Sequence, residues 1–162
     1  MNGTLGHVHV TSDRWPDTWD LVRFARDCWR LEGARTEEQR AIALWRWIRR
    51  VTFRSDGRVP TEPHLGHRYV TDAYKILNVY GYHWCDGLSR VMEVIWRSTG
   101  RRAEKLYTHG HTLCQVGWTD DDRVFRWHLF DMSEGWFCYT RDGRRIANAE
   151  DIAQDPSLVT RP

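Results

Sequence analysis

Apolar residues recur at helical spacing through the first half of the chain and in strand-like runs through the second. Leu21, Phe24, Ala25, Cys28 and Leu31 fall on one stripe after Pro16-Asp17, and Gly33 stops it. This predicts a first helix with Cys28 in its buried face. Thr36-Glu37-Glu38-Gln39 reads as a capping box, in which the Thr36 hydroxyl accepts from the Gln39 backbone N–H and the Gln39 side chain reaches back. Ala41, Leu44, Trp45 and Ile48 form one apolar face after it, and arginines 40, 46, 49 and 50 fall mostly on the other side. From Arg54 to His67 the chain reads as a loop, marked by Asp56-Gly57, Pro60, Pro63 and Gly66. A short helix is predicted over Thr71 to Asn78. Gly81-Tyr82-His83-Trp84-Cys85-Asp86-Gly87 then leads into a stripe of Leu88, Val91, Met92, Ile95 and Trp96, ended by Thr99-Gly100. Cys85 therefore starts a long buried helix.

The period changes after Gly100. Ala103 to Thr108, His111 to Thr119 and Arg123 to Asp131 are rich in β-branched and aromatic residues and read as strands, with Asp120-Asp121-Asp122 as the turn between the last two. Trp136 to Thr140 and Arg145-Ile146 flank Asp142-Gly143, a hairpin signal, and a last short helix is predicted over Ala149 to Gln154. Helices followed by an antiparallel meander predict an α+β fold, with N-terminal helices and a Cys85-bearing central helix packed on the sheet. No repeat or composition break divides residues 1–162, so a single domain is expected.

Composition narrows the classes. Apolar and charged fractions of 41% and 28% suit an ordinary folded domain, and 162 residues can bury a core without disulfide or metal. A formal net charge of +2 argues against a nucleic-acid partner. No apolar run approaches the ~20 residues of a membrane helix, and MNGTLGHVHV lacks the basic and apolar regions of a signal peptide. No membrane partner is expected, and a complete chain of this kind would be cytoplasmic. Oligomeric state is not legible. Cys28, Cys85, Cys114 and Cys138 lack C-x-x-C spacing and read as separate thiols. Ten tryptophans are unusual; on helices they suit the core, and elsewhere they could line a peptide or glycan groove.

The candidate chemistry centres on Cys85. At a helix N-terminus, unpaired N–H groups and the helix dipole favour the thiolate, and the same groups can hold an oxyanion. The bland alternative is a buried structural thiol. A thiol nucleophile needs a base within reach, and the base needs an orienting carboxylate or amide. His109 and His111, two apart at the start of a predicted strand, would share a face, and Asp131 ends the strand paired to it. Asp131 could equally be a strand-end turn residue.

These segments resemble the transglutaminase-like superfamily, a papain-related group of cysteine enzymes. The family's Ala-Ile-x-x-Trp helix pattern is matched by Ala41-Ile42-Ala43-Leu44-Trp45, followed by Trp47-Ile48 and Val51-Thr52-Phe53. Its nucleophile turn and helix are matched by Gly81 through Cys85-Asp86-Gly87 to Gly100, its histidine strand by His111-Thr112-Leu113, and its aspartate strand by Trp127-His128-Leu129-Phe130-Asp131. The resemblance covers about residues 36–135 and departs from the family at Leu113, usually aromatic, and at Met132-Ser133, usually Pro-Thr. It implies Cys85 as nucleophile, His111 rather than His109 as base, Asp131 as orienting carboxylate, and no cofactor. It also implies acyl transfer on a peptide or protein substrate through a thioester, with hydrolysis (protease, amidase or deamidase) as the default and amine transfer as the alternative. A side-chain oxyanion donor would lie before the nucleophile, among Trp84, Tyr82, Tyr80 and Asn78. Because papain-like sites use an amide beside the histidine, Asp131→Asn is expected to be milder than Asp131→Ala.

Two other readings compete. His83, Cys85, His109, His111 and Cys114 include enough imidazole and thiol ligands for zinc. A non-catalytic module could instead use the tryptophan-rich surface to hold peptide or glycan.

Overall fold

The computed structural model describes residues 12–63, 66 and 68–160. The N-terminal stretch 1–11, and His64, Leu65 and His67 in the expected 54–67 loop, lie outside the described residues. Helix α1 (Leu21–Leu31) starts on Asp20, whose side chain accepts from the Arg23 N–H, and buries Phe24, Ala25 and Cys28. Helix α2 (Glu37–Val51) starts on Thr36 with the complete capping box and buries Ala41, Leu44, Trp47 and Ile48. Both apolar faces point into one core together with Leu88, Val91, Met92, Ile95 and Trp96 of the Cys85-bearing helix and Cys114, Val116 and Phe130 of the sheet.

The expected 54–67 loop is more ordered at its ends than its composition suggests. Strand β1 (Phe53–Arg54) opens it, and β2 (Thr61–Glu62) pairs antiparallel with β3 (Arg68–Tyr69) just beyond it. These two-residue strands carry no periodic signal, because pairing with distant backbone creates them. The helix expected over 71–78 is one α-turn, α3 (Ala73–Lys75), continued by a π-helical turn over Ile76–Tyr80. Gly81, at φ 72°, donates its N–H to the Ile76 carbonyl and ends that turn in a conformation glycine adopts without penalty. Strand β4 (Tyr82–His83) then runs parallel to β1, with Phe53 opposite Tyr82 and Arg54 opposite His83. Helix α4 (Cys85–Ser98) follows at once.

The sheet is a three-stranded antiparallel meander of β5 (Arg102–Thr108), β6 (His111–Thr119) and β7 (Phe125–Phe130), in that order. The Thr108–His111 pair closes the first hairpin around His109-Gly110, with Gly110 at φ 76°. His109 is thus an exposed turn residue rather than a member of β6, and it does not share a strand face with His111. The two-residue turn removes it from the pleat. The second hairpin turn is longer than the three aspartates: Arg123 takes a left-handed φ of 65°, and Asp120 donates its N–H to the Val124 carbonyl. The hairpin expected around Asp142-Gly143 reduces to a single bridge, Tyr139 with Ile146. Helix α5 (Ala149–Gln154) has its own capping box from Asn148 and Asp151. The class is α+β. No described helix is long and apolar enough to cross a membrane.

Candidate active site

Helix α4 places Cys85 at its first residue. Asp20, Thr36, Asp72 and Asn148 cap the other α-helices with side-chain oxygens, whereas Trp84 precedes α4 and makes no side-chain cap. The first turn of α4 thus has no side-chain cap on its N–H groups. Backbone packing fixes this turn. A Cβ on Gly87 would lie 2.1 Å from the His83 ring, so only glycine lets the β4–α4 corner close. His83 is 2% exposed, neither ring nitrogen makes a well-formed hydrogen bond, and burial pushes its pKa down.

Two contacts orient α4 on the sheet. Ser89 donates its hydroxyl to the Thr112 carbonyl at 3.0 Å, and further along the Trp96 and Trp118 rings lie 6.3 Å apart. The helix therefore runs in the same direction as β6. Cys85, one turn before Ser89 and on the same face, lies toward the His111 end of the strand. The neighbouring Asp86 accepts from Lys105 of β5 at 2.6 Å, which ties the helix start to the sheet edge. Cys85 is half-buried, whereas Cys28 and Cys114 are fully buried; all four cysteines are free thiols. Burial pushes the Cys28, Cys114 and Cys138 thiols up, Cys28 and Cys114 strongly.

His111 and Asp131 meet across the β6–β7 end. His111 Nε2 and Asp131 Oδ2 are 2.7 Å apart, with the histidine partly exposed and the aspartate completely buried. The other oxygen, Oδ1, accepts from the Ser133 N–H at 2.9 Å, the Ser133 hydroxyl at 3.0 Å and the Glu134 N–H at 2.8 Å. The Asp131 backbone is held as well: its N–H donates to the Trp136 carbonyl, and its carbonyl accepts from Trp45 Nε1 at 3.0 Å. Asp131 is a strand-end residue, but its carboxylate turns inward to the histidine. A carboxylate can only accept here, so Nε2 carries the hydrogen and Nδ1 is the nitrogen left for a reacting group. Ser133 supplies two of the four bonds that fix the carboxylate.

The weaker candidates fare differently. Trp84 donates its indole N–H to the Gly57 carbonyl at 3.0 Å. Asn78 spends its amide hydrogens on the Thr18 and Tyr74 carbonyls at 2.9 and 3.0 Å. Neither has a donor to offer a substrate in this arrangement, and Tyr80 packs against the core. Tyr82 stays beside the site, half-buried and stacked on Phe53. Among the described residues, no three His, Cys, Asp or Glu side chains form a metal-binding group. Sequence reasoning missed Trp45, Gly87, Ser89 and Ser133 as supports of the site. The Cys-Asp-Gly turn hinted at Gly87, and Ser133 lies two residues from the carboxylate it serves; Trp45 and Ser89 are legible only through partners distant in the chain. Comparison with protein-family models, with curated proteins and with solved structures returned no match to this chain.

Proposed function

We propose that this chain is a transglutaminase-like cysteine enzyme that transfers the acyl group of a peptide or amide substrate through Cys85, with water as the usual acceptor. The observation that carries this reading is the His111–Asp131 pair at 2.7 Å, at the end of β6 toward which α4 presents Cys85. Asp131 fixes the imidazole with Nδ1 open. His111 takes the Cys85 proton, and the thiolate attacks the substrate carbonyl carbon. The oxyanion forms over the first turn of α4, whose N–H groups have no side-chain cap. Collapse breaks the C–N bond, and the amine leaves with the proton from His111. Water then loses a proton to His111 and attacks the thioester, releasing the acid and restoring the thiol. An amine in place of water gives transamidation.

The test is to treat the protein with a library of peptidyl electrophiles and locate the adduct by mass spectrometry. A single adduct on Cys85 that is lost or strongly slowed in His111→Ala is expected. No adduct on Cys85, or an unchanged rate in His111→Ala, refutes the reading.

A further inference from the structure

Cys85 and Asp131 reach the site from different parts of the fold, and one short strand is tied to both. Strand β4 leads into Cys85, and Asp131 heads the turn 131–136, which its N–H closes on the Trp136 carbonyl. Strand β1 is bonded to β4: the Phe53 N–H donates to the Gly81 carbonyl at 2.9 Å, and the Ser55 N–H to the His83 carbonyl at 3.0 Å. Arg54 lies between these two bonds, opposite His83 and thus beside the segment that ends at Cys85. Its guanidinium forms one ion pair with Glu134 and another, at 3.0 Å, with Asp56. Glu134 is the residue whose N–H donates to Asp131 Oδ1 at 2.8 Å. A chain of contacts therefore runs from the Asp131 carboxylate, through Glu134 and Arg54, to the strand before the cysteine.

Helix α2 fastens the same turn by its backbone. Trp45 donates to the Asp131 carbonyl, and the Arg49 guanidinium, 5.1 Å from the Trp45 ring centre, donates to the Gly135 carbonyl at 3.4 Å. A Cβ on Gly135 would lie 2.1 Å from the Arg49 guanidinium carbon, and its φ is 81°, so the position takes glycine on both counts. The Arg54–Glu134 pair adds to this the link with β1 and β4.

We propose that Arg54 and Glu134 are positioning residues of the acyl-transfer centre: their ion pair sets the Asp131–His111 unit against the strand that presents Cys85. The proposal rests on the reading of Cys85 as the nucleophile. Magnitudes separate this role from that of an ordinary surface pair. The two side chains are 42% and 49% exposed, and ion pairs at such sites contribute little to stability. Acyl transfer is less tolerant, because misplacing a catalytic group by about 1 Å can cost ~10²-fold in rate. Loss of the pair should be felt in the rate and scarcely in the fold.

The experiment measures single-turnover acylation of Cys85 by an activated peptide ester, with thermal unfolding of the same samples. Arg54→Gln and Glu134→Gln should each slow acylation ~10-fold or more, with Tm close to the native value. The double variant should be no slower than the slower single one, because both changes remove one contact. In a His111→Ala background, Arg54→Gln should slow acylation no further, because Arg54 acts through the histidine and its carboxylate; a loosened fold would slow it in either background. Arg54→Lys, which keeps the charge, should retain most of the native rate. Arg141→Ala, which breaks the Arg141–Asp155 surface pair, should leave the rate unchanged. Native rates in both Gln variants, effects that multiply in the double variant, a rate loss matched by a fall in Tm, or further slowing in the His111→Ala background overturns the positioning role. No acylation of Cys85 in the native protein, or an undiminished rate in His111→Ala alone, overturns the nucleophile reading and this role with it.

Discussion

Replacing Asp131 by Asn tests the geometry of the site more sharply than removing its side chain. Three donors, the Ser133 N–H, the Ser133 hydroxyl and the Glu134 N–H, converge on Oδ1 within 3.0 Å. Only an oxygen can face them. The amide of Asp131→Asn must therefore keep its oxygen there and turn its NH2 toward His111. Histidine Nε2 must then accept, which moves the ring hydrogen to Nδ1, the nitrogen that should take the thiol proton. An imidazolium fares no better, because two donors would meet. This reverses the milder effect expected from papain-like sites, where the amide oxygen faces the imidazole. Imposing the wrong tautomer costs on the order of 10⁴-fold in kcat in a serine-protease triad, so a loss of ~10³–10⁴-fold in Cys85 acylation is expected here. The fold should survive, since the three Oδ1 bonds persist and the weakened charge-assisted pair is worth about 1.5–3 kcal/mol. Asp131→Ala is less informative, because it strands several buried donors at about 1–3 kcal/mol each and unfolding would confuse the result. The assay is single-turnover acylation by an activated ester, with thermal unfolding of the same sample as control. A folded Asp131→Asn protein that acylates within ~10-fold of the native rate would refute the tautomer argument.

Iodoacetamide at neutral pH should label Cys85 first, because burial pushes the Cys28, Cys114 and Cys138 thiols up; earlier labelling of any of those three, found by peptide mapping, counts against Cys85. His111→Ala should slow acylation by ~10²–10⁴-fold, while His109→Ala, in an exposed turn, should stay near the native rate; a reversed order of the two variants removes His111 from the mechanism. Gly87→Ala drives a methyl into the His83 ring and should destabilise the protein by roughly 1–3 kcal/mol in denaturant titration while slowing Cys85 labelling; His83→Ala in the same chain should relieve part of the loss, and no relief means that the clash is not the cause. Burial lowers the His83 pKa below its ordinary value of 6.5, so the unfolded chain binds the proton first. This group's contribution to stability is therefore intact above about pH 6.5 and falls on acidification below it. His83→Phe should flatten the decline of Tm with acid, and an identical pH profile rules out this titration.

The two halves of the site differ in how far local sequence specifies them. Glycine 87, two residues past the cysteine, and an apolar stripe starting at Leu88 place Cys85 at a helix start, because capping and periodicity are local effects. The α2 capping box, the buried Cys28 and the span of β6 are equally local, and the folded chain keeps all three. The short strands β1 to β4 leave no such trace, since each exists only because another segment pairs with it. His109 and His111 are indistinguishable by pattern. A two-residue turn with Gly110 in a left-handed conformation separates them, placing one in solvent and the other against a carboxylate.

Sequence by itself determined the α+β order, the helix that presents Cys85 and the strands that carry His111 and Asp131, because hydrophobic period and turn residues act over a few positions. Tertiary structure alone decided that Asp131 meets His111, that Trp84 spends its indole donor on the Gly57 carbonyl and Asn78 one amide hydrogen on the Thr18 carbonyl, and that Phe53 and Tyr69 meet the rings of Tyr82 and Trp84. Those outcomes depend on which groups compete for each hydrogen bond and each face. That competition exists only once segments as far apart as Trp45 and Asp131 have packed together.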